Sequence, residues 1–265
     1  MAAKAVRVIG PGRAGSSLAR GLDKAGWRVV DLLGRDDEAA FAGAAADVDL
    51  LVIATPDGAV ASVAAAVDPV ASCVVAHLAG ALTTDVLAPH ARRASIHPLR
   101  SLPTRTSDLA GAWFAVAGDV LAWEVVADLE GRVVEVDEAA RTAYHAAAVV
   151  ASNHLVALLG SVERIAAEAG VPLAAFLDLV RGTVDNVELL GPGAALTGPV
   201  ARGDWATVAR HRDAIPEDEL LTYDALTAAA LLLVRSAGSA HVPDCSLALP
   251  TPASSEPGDT QGAPA

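Results

Sequence analysis

The sequence predicts a doubly wound α/β domain with a mostly parallel sheet, followed by an all-helical domain. Over residues 1–136, short and almost wholly apolar segments alternate with helical ones, as expected for parallel strands covered on both faces. A glycine turn joins the first of these strands to the first helix. Beyond residue 136 the strand-like segments stop and a long helix-favouring run begins.

Strands are predicted at Ala5–Ile9, Arg28–Leu33, Asp49–Ala54, Cys73–His77, Ala94–Ile96, Trp113–Ala117 and Arg132–Val136. Helix-like stretches such as Ala59–Val67 and Val120–Leu129 lie between them. Asp57 reads as the N-cap after the third strand. Asp137 reads as the N-cap of a long helix that runs to Ala169, with Gly170 and Pro172 as its stop. A second helix is expected over Pro172–Leu190. An ordered loop follows at Gly191–Pro199, then a helix capped by Asp204 and a last one from Pro216 to about Gly238. Residues 239–265 turn to Pro, Ser, Gly and Thr without periodicity and read as a disordered tail. The domains are therefore expected at 1–136, 137–238 and 239–265.

Composition narrows the function. Hydrophobic residues make up 53% of the 265 and aromatics only 3%, so the core must be built from Ala, Val and Leu. A net charge of −13 argues against nucleic acid or an anionic membrane as partner. Two distant cysteines, Cys73 and Cys245, form no metal or disulfide pattern and suit a reducing cytoplasm. No separate leader is legible, because the first apolar stretch is already a strand, and no uninterrupted apolar run reaches the ~18 residues that span a bilayer.

The glycine turn carries the first chemistry. Val6-Arg7-Val8-Ile9 leads into Gly10-Pro11-Gly12-Arg13-Ala14-Gly15 and then a helix. Gly10 permits the tight turn, Gly12 lets backbone approach a pyrophosphate, and Gly15 lets helix and strand pack closely. The helix N-terminus adds unpaired N–H groups and a positive dipole end. Arg35 lies 20 residues after Gly15, where an acid would bind ribose hydroxyls and an Arg accommodates a 2′-phosphate. This favours NADP, although Asp31 and Asp36 keep NAD open; Arg13 could reach the same phosphates. Thr55 and Pro56, at the end of the third strand, would line the cofactor.

Other candidates lie where such a sheet opens. His77 and His97 each close a strand, and strand ends of this fold face the ligand cleft. His145 stands on the long helix seven and eight residues before Ser152 and Asn153, on one expected face. These residues could supply a proton donor and a substrate-orienting amide; a polar seam in a helix or dimer interface would have the same spacing. Thr197 and Arg202, in Thr197-Gly198-Pro199-Val200-Ala201-Arg202-Gly203-Asp204, suit a carboxylate or form an interhelical turn with an exposed Arg. The only lysines are Lys4 and Lys24, so an acid elsewhere in the chain must be another residue type.

With these residues in view, the chain resembles a group of Rossmann-like oxidoreductases whose C-terminal half is a helical domain of unknown function. The group sits beside ketopantoate reductases, prephenate dehydrogenases and 6-phosphogluconate dehydrogenases. The resemblance covers roughly residues 5–237 and rests on Gly10–Gly15, Ile96-His97-Pro98-Leu99, Tyr144-His145-Ala146-Ala147-Ala148 through Ser152-Asn153, and Gly191–Asp204. It implies a Rossmann domain followed by a 6-phosphogluconate-dehydrogenase-like helical domain and an NADP cofactor. Separately, the alanine-rich faces of Ala146–Ala151 and Ala225–Leu233 exceed what one small helical domain can easily bury, which predicts a homodimer through the helical half. In ketopantoate reductases a lysine on the long helix donates the proton and an asparagine two turns later contacts substrate. By that pattern His145 stands for the lysine and Asn153 for the asparagine. His97-Pro98 is similar to the His-Pro after a prephenate dehydrogenase strand. The group generally carries a hydroxyl residue before the glycine at Gly80, where this chain has Ala79, which argues against a role for the His77–Gly80 turn.

The expectation is an NADP-dependent reductase of a small carbonyl acid, possible substrates including ketopantoate. His145 or His97 would be the acid, Asn153 would orient the carbonyl, and Thr197, Arg202 and Ser152 would contact substrate. Two alternatives stand: a reductase of cyclic imines or a deazaflavin, and a non-catalytic NADP-binding sensor.

Overall fold

The computed structural model describes residues 3–236. Gly238, Cys245 and the expected tail at 239–265 lie outside the described residues. The chain divides into two compact units, Met1–Leu155 and Val156–Ala265.

The first unit is built on a seven-stranded sheet. Its strands are β1 (Ala5–Ile9), β2 (Arg28–Leu33), β3 (Leu50–Ile53), β4 (Val74–His77), β5 (Arg93–Leu99), β6 (Trp113–Gly118) and β7 (Arg132–Glu135). The order is β2-β1-β3-β4-β5-β6-β7, with only the β5–β6 pair antiparallel. All seven expected strands are present, with ends shifted by a residue or a few. The periodicity explains why they were legible. In β3 every residue is buried: Leu50 and Val52 enter one core and Leu51 and Ile53 the other. The first core takes Leu18 and Leu22 from α1 (Arg13–Lys24) and Val125 and Val126 from α3 (Leu121–Asp128). The second takes Val60 and Ala64 from α2 (Asp57–Ala65). A strand covered on both faces reads as one apolar run.

After β1 the chain turns to β2 on one side, then returns to place β3 on the other. That reversal opens a crevice beyond the carboxyl ends of β1 and β3, where sheets of this kind bind ligands.

Several caps differ from expectation. Asp57 is the first residue of α2 rather than its cap; Pro56 holds the cap position, and Asp57 meets the positive end of the helix instead. Asp137 precedes a 3-10 turn at Glu138–Ala140 but makes no capping hydrogen bond. The long helix is not uniform: α4 (Arg141–Val149) passes into a π-helical turn at Val150–His154 before α5 (Leu155–Ala167). The expected domain boundary after residue 136 moves to Leu155, because contacts from Glu138, Arg141 and Tyr144 tie α4 to the sheet unit.

The second unit is helical: α6 (Ala174–Ala195), α7 (Gly198–Arg202), α8 (Trp205–Ala214) and α9 (Glu217–Ser236) follow α5. Gly170, at φ +66, ends α5 as expected. The loop expected from Gly191 is instead a kinked continuation of α6, broken by Gly191 at φ 76, ψ 161, with Pro192 restarting the helix. A proline is tolerated there because it begins a new first turn. Asp204 caps α8 as expected, accepting from the Thr207 backbone N–H at 3.1 Å. Buried Glu219 joins α9 to α5, accepting from Ser161 Oγ at 2.5 Å and from Arg164 Nε.

Among the described residues one helical stretch, Glu138–Ala167, is long and apolar enough by length and composition to cross a membrane. It is not an uninterrupted apolar run, because Ser152, Asn153 and His154 sit in its middle.

Candidate active site

The glycine turn forms as its residues require. Gly10 has φ +100, and a Cβ there would lie 2.7 Å from the Ala54 carbonyl carbon and oxygen and 2.9 Å from the Thr55 nitrogen. Any side chain would therefore be strained and would strike the Ala54–Thr55 backbone just beyond β3. A Cβ at Gly15 would come 2.3 Å from the Gly10 oxygen and 3.0 Å from Val8 Cγ1, so α1 rests directly on the turn. A Cβ at Gly12 would meet nothing within 4 Å, which leaves open space over the N-terminus of α1.

The groups around this space fit a dinucleotide. Arg13 is the exposed first residue of α1, with Ala14 half-buried behind it. Arg35 is exposed immediately after β2 and Gly34. Thr55 is half-buried, and its hydroxyl is shielded from solvent without a hydrogen-bond partner; exposed Pro56 follows it. A buried hydroxyl beside a ligand crevice without a partner is an acceptor or donor waiting for one.

Two strands further along the sheet, a second group of residues converges. His97, near the end of β5, shares a 2.7 Å hydrogen bond between its Nδ1 and the Tyr144 hydroxyl on α4. The two rings meet edge-on with centroids 5.6 Å apart, and the His145 ring lies 5.8 Å from His97. Gly80, in the turn after β4, lies against both imidazoles. A Cβ at Gly80 would sit 2.5 Å from His145 Nδ1 and 3.0 Å from His97 Cε1 and Nε2. The Gly80 carbonyl faces Arg141 Nη1 at 3.5 Å. Arg141, Tyr144 and His145 share one face of α4 through their i, i+3 and i+4 spacing.

Burial pushes His97 down to about 4, with the charges of His145, Arg141 and His77 acting in the same direction. Its imidazole is therefore neutral at pH 7. Burial also raises Tyr144 to about 12, so its hydroxyl keeps its proton. If Tyr144 donates to Nδ1, the His97 ring proton sits on Nε2 beside Gly80; if Nδ1–H donates to the hydroxyl, Nε2 is left as an acceptor there.

His77 has the structural role. It is fully buried, its Nε2 pairs with the Thr83 carbonyl at 3.2 Å, and its Nδ1 accepts from the Ala79 N–H at 3.2 Å. Both nitrogens are engaged, and burial lowers its pKa.

Of the sequence candidates, the sheet unit thus brings His97 and His145 together. No hydrogen bond joins them to Ser152 or Asn153, which are exposed and bonded to each other at 2.9 Å. The π turn at Val150–His154 widens the helix there, so the face counted at 3.6 residues per turn from His145 does not carry through to Asn153. In the second unit Thr197 and Arg202 are exposed at the two ends of the five-residue α7. Sequence reasoning missed Gly80, Tyr144 and Arg141. Tyr144 adjoins His145 in sequence, and its spacing of three from Arg141 was a signal in plain view. Gly80 was set aside because of Ala79.

The fold and these two clusters define a class, a Rossmann-type α/β domain joined to an all-helical region. Within that class, residues 115–230 match the family described as Domain of unknown function (DUF2520). Comparison with curated proteins finds no match. Among solved structures, a Bacteroides fragilis protein assigned as an NADP oxidoreductase is 19% identical, with a TM-score of 0.73 over 87% of this chain and 98% of its own. A Thermotoga maritima protein is 24% identical, with a TM-score of 0.68 over 88% and 99%. A reductive aminase from Aspergillus terreus, in complex with NADPH4, cyclohexanone and allyl amine, is 18% identical, with a TM-score of 0.65 over 87% and 94%. Likeness at these identities establishes the fold.

Proposed function

We propose that this protein is an NADP-dependent oxidoreductase that reduces the C=O or C=N carbon of a small acid. The carrying observation is the pairing of an open glycine turn at the β1–β3 crevice with a half-buried His97–Tyr144–His145 cluster two strands away. Such a crevice places a bound dinucleotide over the carboxyl ends of the strands. The similar folds of an assigned NADP oxidoreductase and of a reductase crystallised with a nicotinamide cofactor support the reading.

Gly10, Gly12, Arg13, Ala14 and Gly15 would hold the pyrophosphate at the N-terminus of α1, where backbone N–H groups and the helix dipole favour an anion. Arg35 would take the 2′-phosphate, with Thr55 and Pro56 against the nucleotide. Bound NADPH supplies a hydride. The chain's own task is then the proton. His145 delivers it to the substrate oxygen or nitrogen; His97, expected from the sequence as the other candidate acid, is neutral at pH 7 and is left a hydrogen-bonding role beside it. Tyr144 holds the orientation of His97, and Gly80 lets the two rings approach. Exposed Ser152, Asn153, Thr197 and Arg202 have no comparable support, and no step is assigned to them.

NADPH oxidation, followed by absorbance, tests this with ketopantoate and other 2-oxo acids, each with and without an amine, and with cyclic imine acids. Turnover of oxo acids alone supports carbonyl reduction, and turnover only with amines or cyclic imines supports C=N reduction. Tight NADPH binding without turnover of any of them favours the sensor reading.

We also infer a cytoplasmic homodimer through the helical unit. Leu189 and Leu221 are 79% and 81% exposed, and Leu179, Val184, Leu190 and Leu232 are exposed beside them in sequence. A soluble monomer rarely leaves so many large apolar side chains in water. Light scattering at micromolar concentration reads the mass directly, and a monomeric value rejects the dimer.

A further inference from the structure

The Arg141 guanidinium is the least compensated group in the sheet unit. It is fully buried. Its Nη1 reaches the Gly80 carbonyl at 3.5 Å, at the limit of a hydrogen bond, while Nε and Nη2 are shielded from solvent and have no partner. The nearest acid in sequence, Glu138, spends its Oε1 on the Thr84 N–H and hydroxyl at 3.0 and 2.7 Å. No salt bridge to Arg141 is present among the described residues, and Glu138 acts on it only as an opposite charge nearby, too little to offset the burial that lowers its pKa. Arg141 also opens α4, where the positive end of the helix adds to its charge instead of offsetting it. Burying a cation without a counter-ion or full hydrogen bonding costs several kcal/mol in general. A group held at such cost, next to a cluster of imidazoles, calls for a ligand.

The orphaned atoms specify which ligand. Nε and Nη2 form the side edge of the guanidinium, whose two parallel N–H bonds match the two oxygens of a carboxylate. We propose that the Nε–Nη2 edge of Arg141 binds the carboxylate of the substrate and so places its reducible carbon beside His97 and His145. The assignment rests on the reductase reading and adds the substrate class to it: a monocarboxylic acid with the reactive carbon next to the carboxylate. It also moves the carboxylate from Thr197 and Arg202 to a buried cation in the same unit as the imidazoles. An exposed arginine pairs only weakly with a carboxylate in water, whereas a desolvated one pairs strongly. The edge is closed to solvent, so entry requires local side-chain movement.

Oxamate and its neutral counterpart oxamide, titrated into the full-length protein, test the site by the ring proton resonances of His97 and His145. Oxamate should shift both resonances saturably and oxamide should not. Arg141→Gln should weaken oxamate at least about tenfold, the scale of a lost hydrogen bond to a charged group, and Arg141→Lys should fall between. Equal binding of the two probes, no saturable binding of oxamate, or unchanged affinity in Arg141→Gln would overturn the assignment. Melting temperature separates a structural role: Arg141→Gln should match or exceed the wild type, because it removes a buried charge that Glu138 only partly offsets. A large fall would make Arg141 a brace for the Gly80 turn and reject the proposal. If Arg141-dependent oxamate binding persists while no carbonyl or imine substrate oxidises NADPH, the carboxylate site stands and the reductase reading fails.

Discussion

His97 on β5 and Tyr144 on α4 are joined by a 2.7 Å hydrogen bond across 47 residues of sequence. It ties the end of the sheet to the first helical turns beyond it, and it sits where burial holds the imidazole neutral.

That burial makes stability depend on pH. His97 titrates at about 4 in the folded chain against 6.5 when unperturbed. Below 6.5 the unfolded chain binds a proton that the folded chain refuses. The stabilisation is complete above about 6.5 and is lost progressively as pH falls to about 4. The shift corresponds to roughly 3 kcal/mol. Melting temperature should fall between pH 7 and 4, and His97→Gln should flatten that part of the curve. An unchanged slope in the variant would assign the acid sensitivity to other groups.

Gly80→Ala should disturb the cluster without straining the backbone. The added methyl carbon would lie 2.5 Å from His145 Nδ1, so a ring must move. Overpacking of this kind costs about 1–3 kcal/mol. The ring resonances of His145 and His97 should shift, and turnover should fall more than NADPH affinity. A variant with wild-type turnover would mean that the placement of His145 is not critical.

His145→Ala should lower kcat by about 10²–10⁴, the usual contribution of a general acid. NADPH affinity should hold, because the Gly10–Gly15 turn proposed for the cofactor phosphates lies at the β1–β3 crevice, two strands from the imidazoles. If His97→Ala is impaired and His145→Ala is not, the two imidazoles exchange roles.

Arg35→Ala should weaken NADPH by about 1.5–3 kcal/mol, as expected for a lost hydrogen bond to a charged group, and leave NADH almost unchanged. Fluorescence titration of both cofactors checks this. Equal losses for the two would remove Arg35 from the 2′-phosphate.

The sequence by itself determined the seven strands, the Gly10–Gly15 turn, and the caps at Gly170 and Asp204. These are local matters: apolar runs, glycines at forced backbone angles, and a carboxylate three residues ahead of the N–H it caps. It also marked His97 and His145 as residues worth testing. Only the tertiary structure decided that the two imidazoles meet, and that they meet over Gly80, because the contact depends on the space left by a missing Cβ from another turn. It likewise decided that α4 belongs with the sheet and that a π turn breaks the face shared with Asn153. Hydrogen-bond slippage in a helix has no compositional signature that a count at 3.6 residues per turn detects. Arg141 shows the limit most clearly. In sequence it is one more arginine at a helix start, and its importance comes entirely from being folded away from water with two of its three guanidinium nitrogens unpaired.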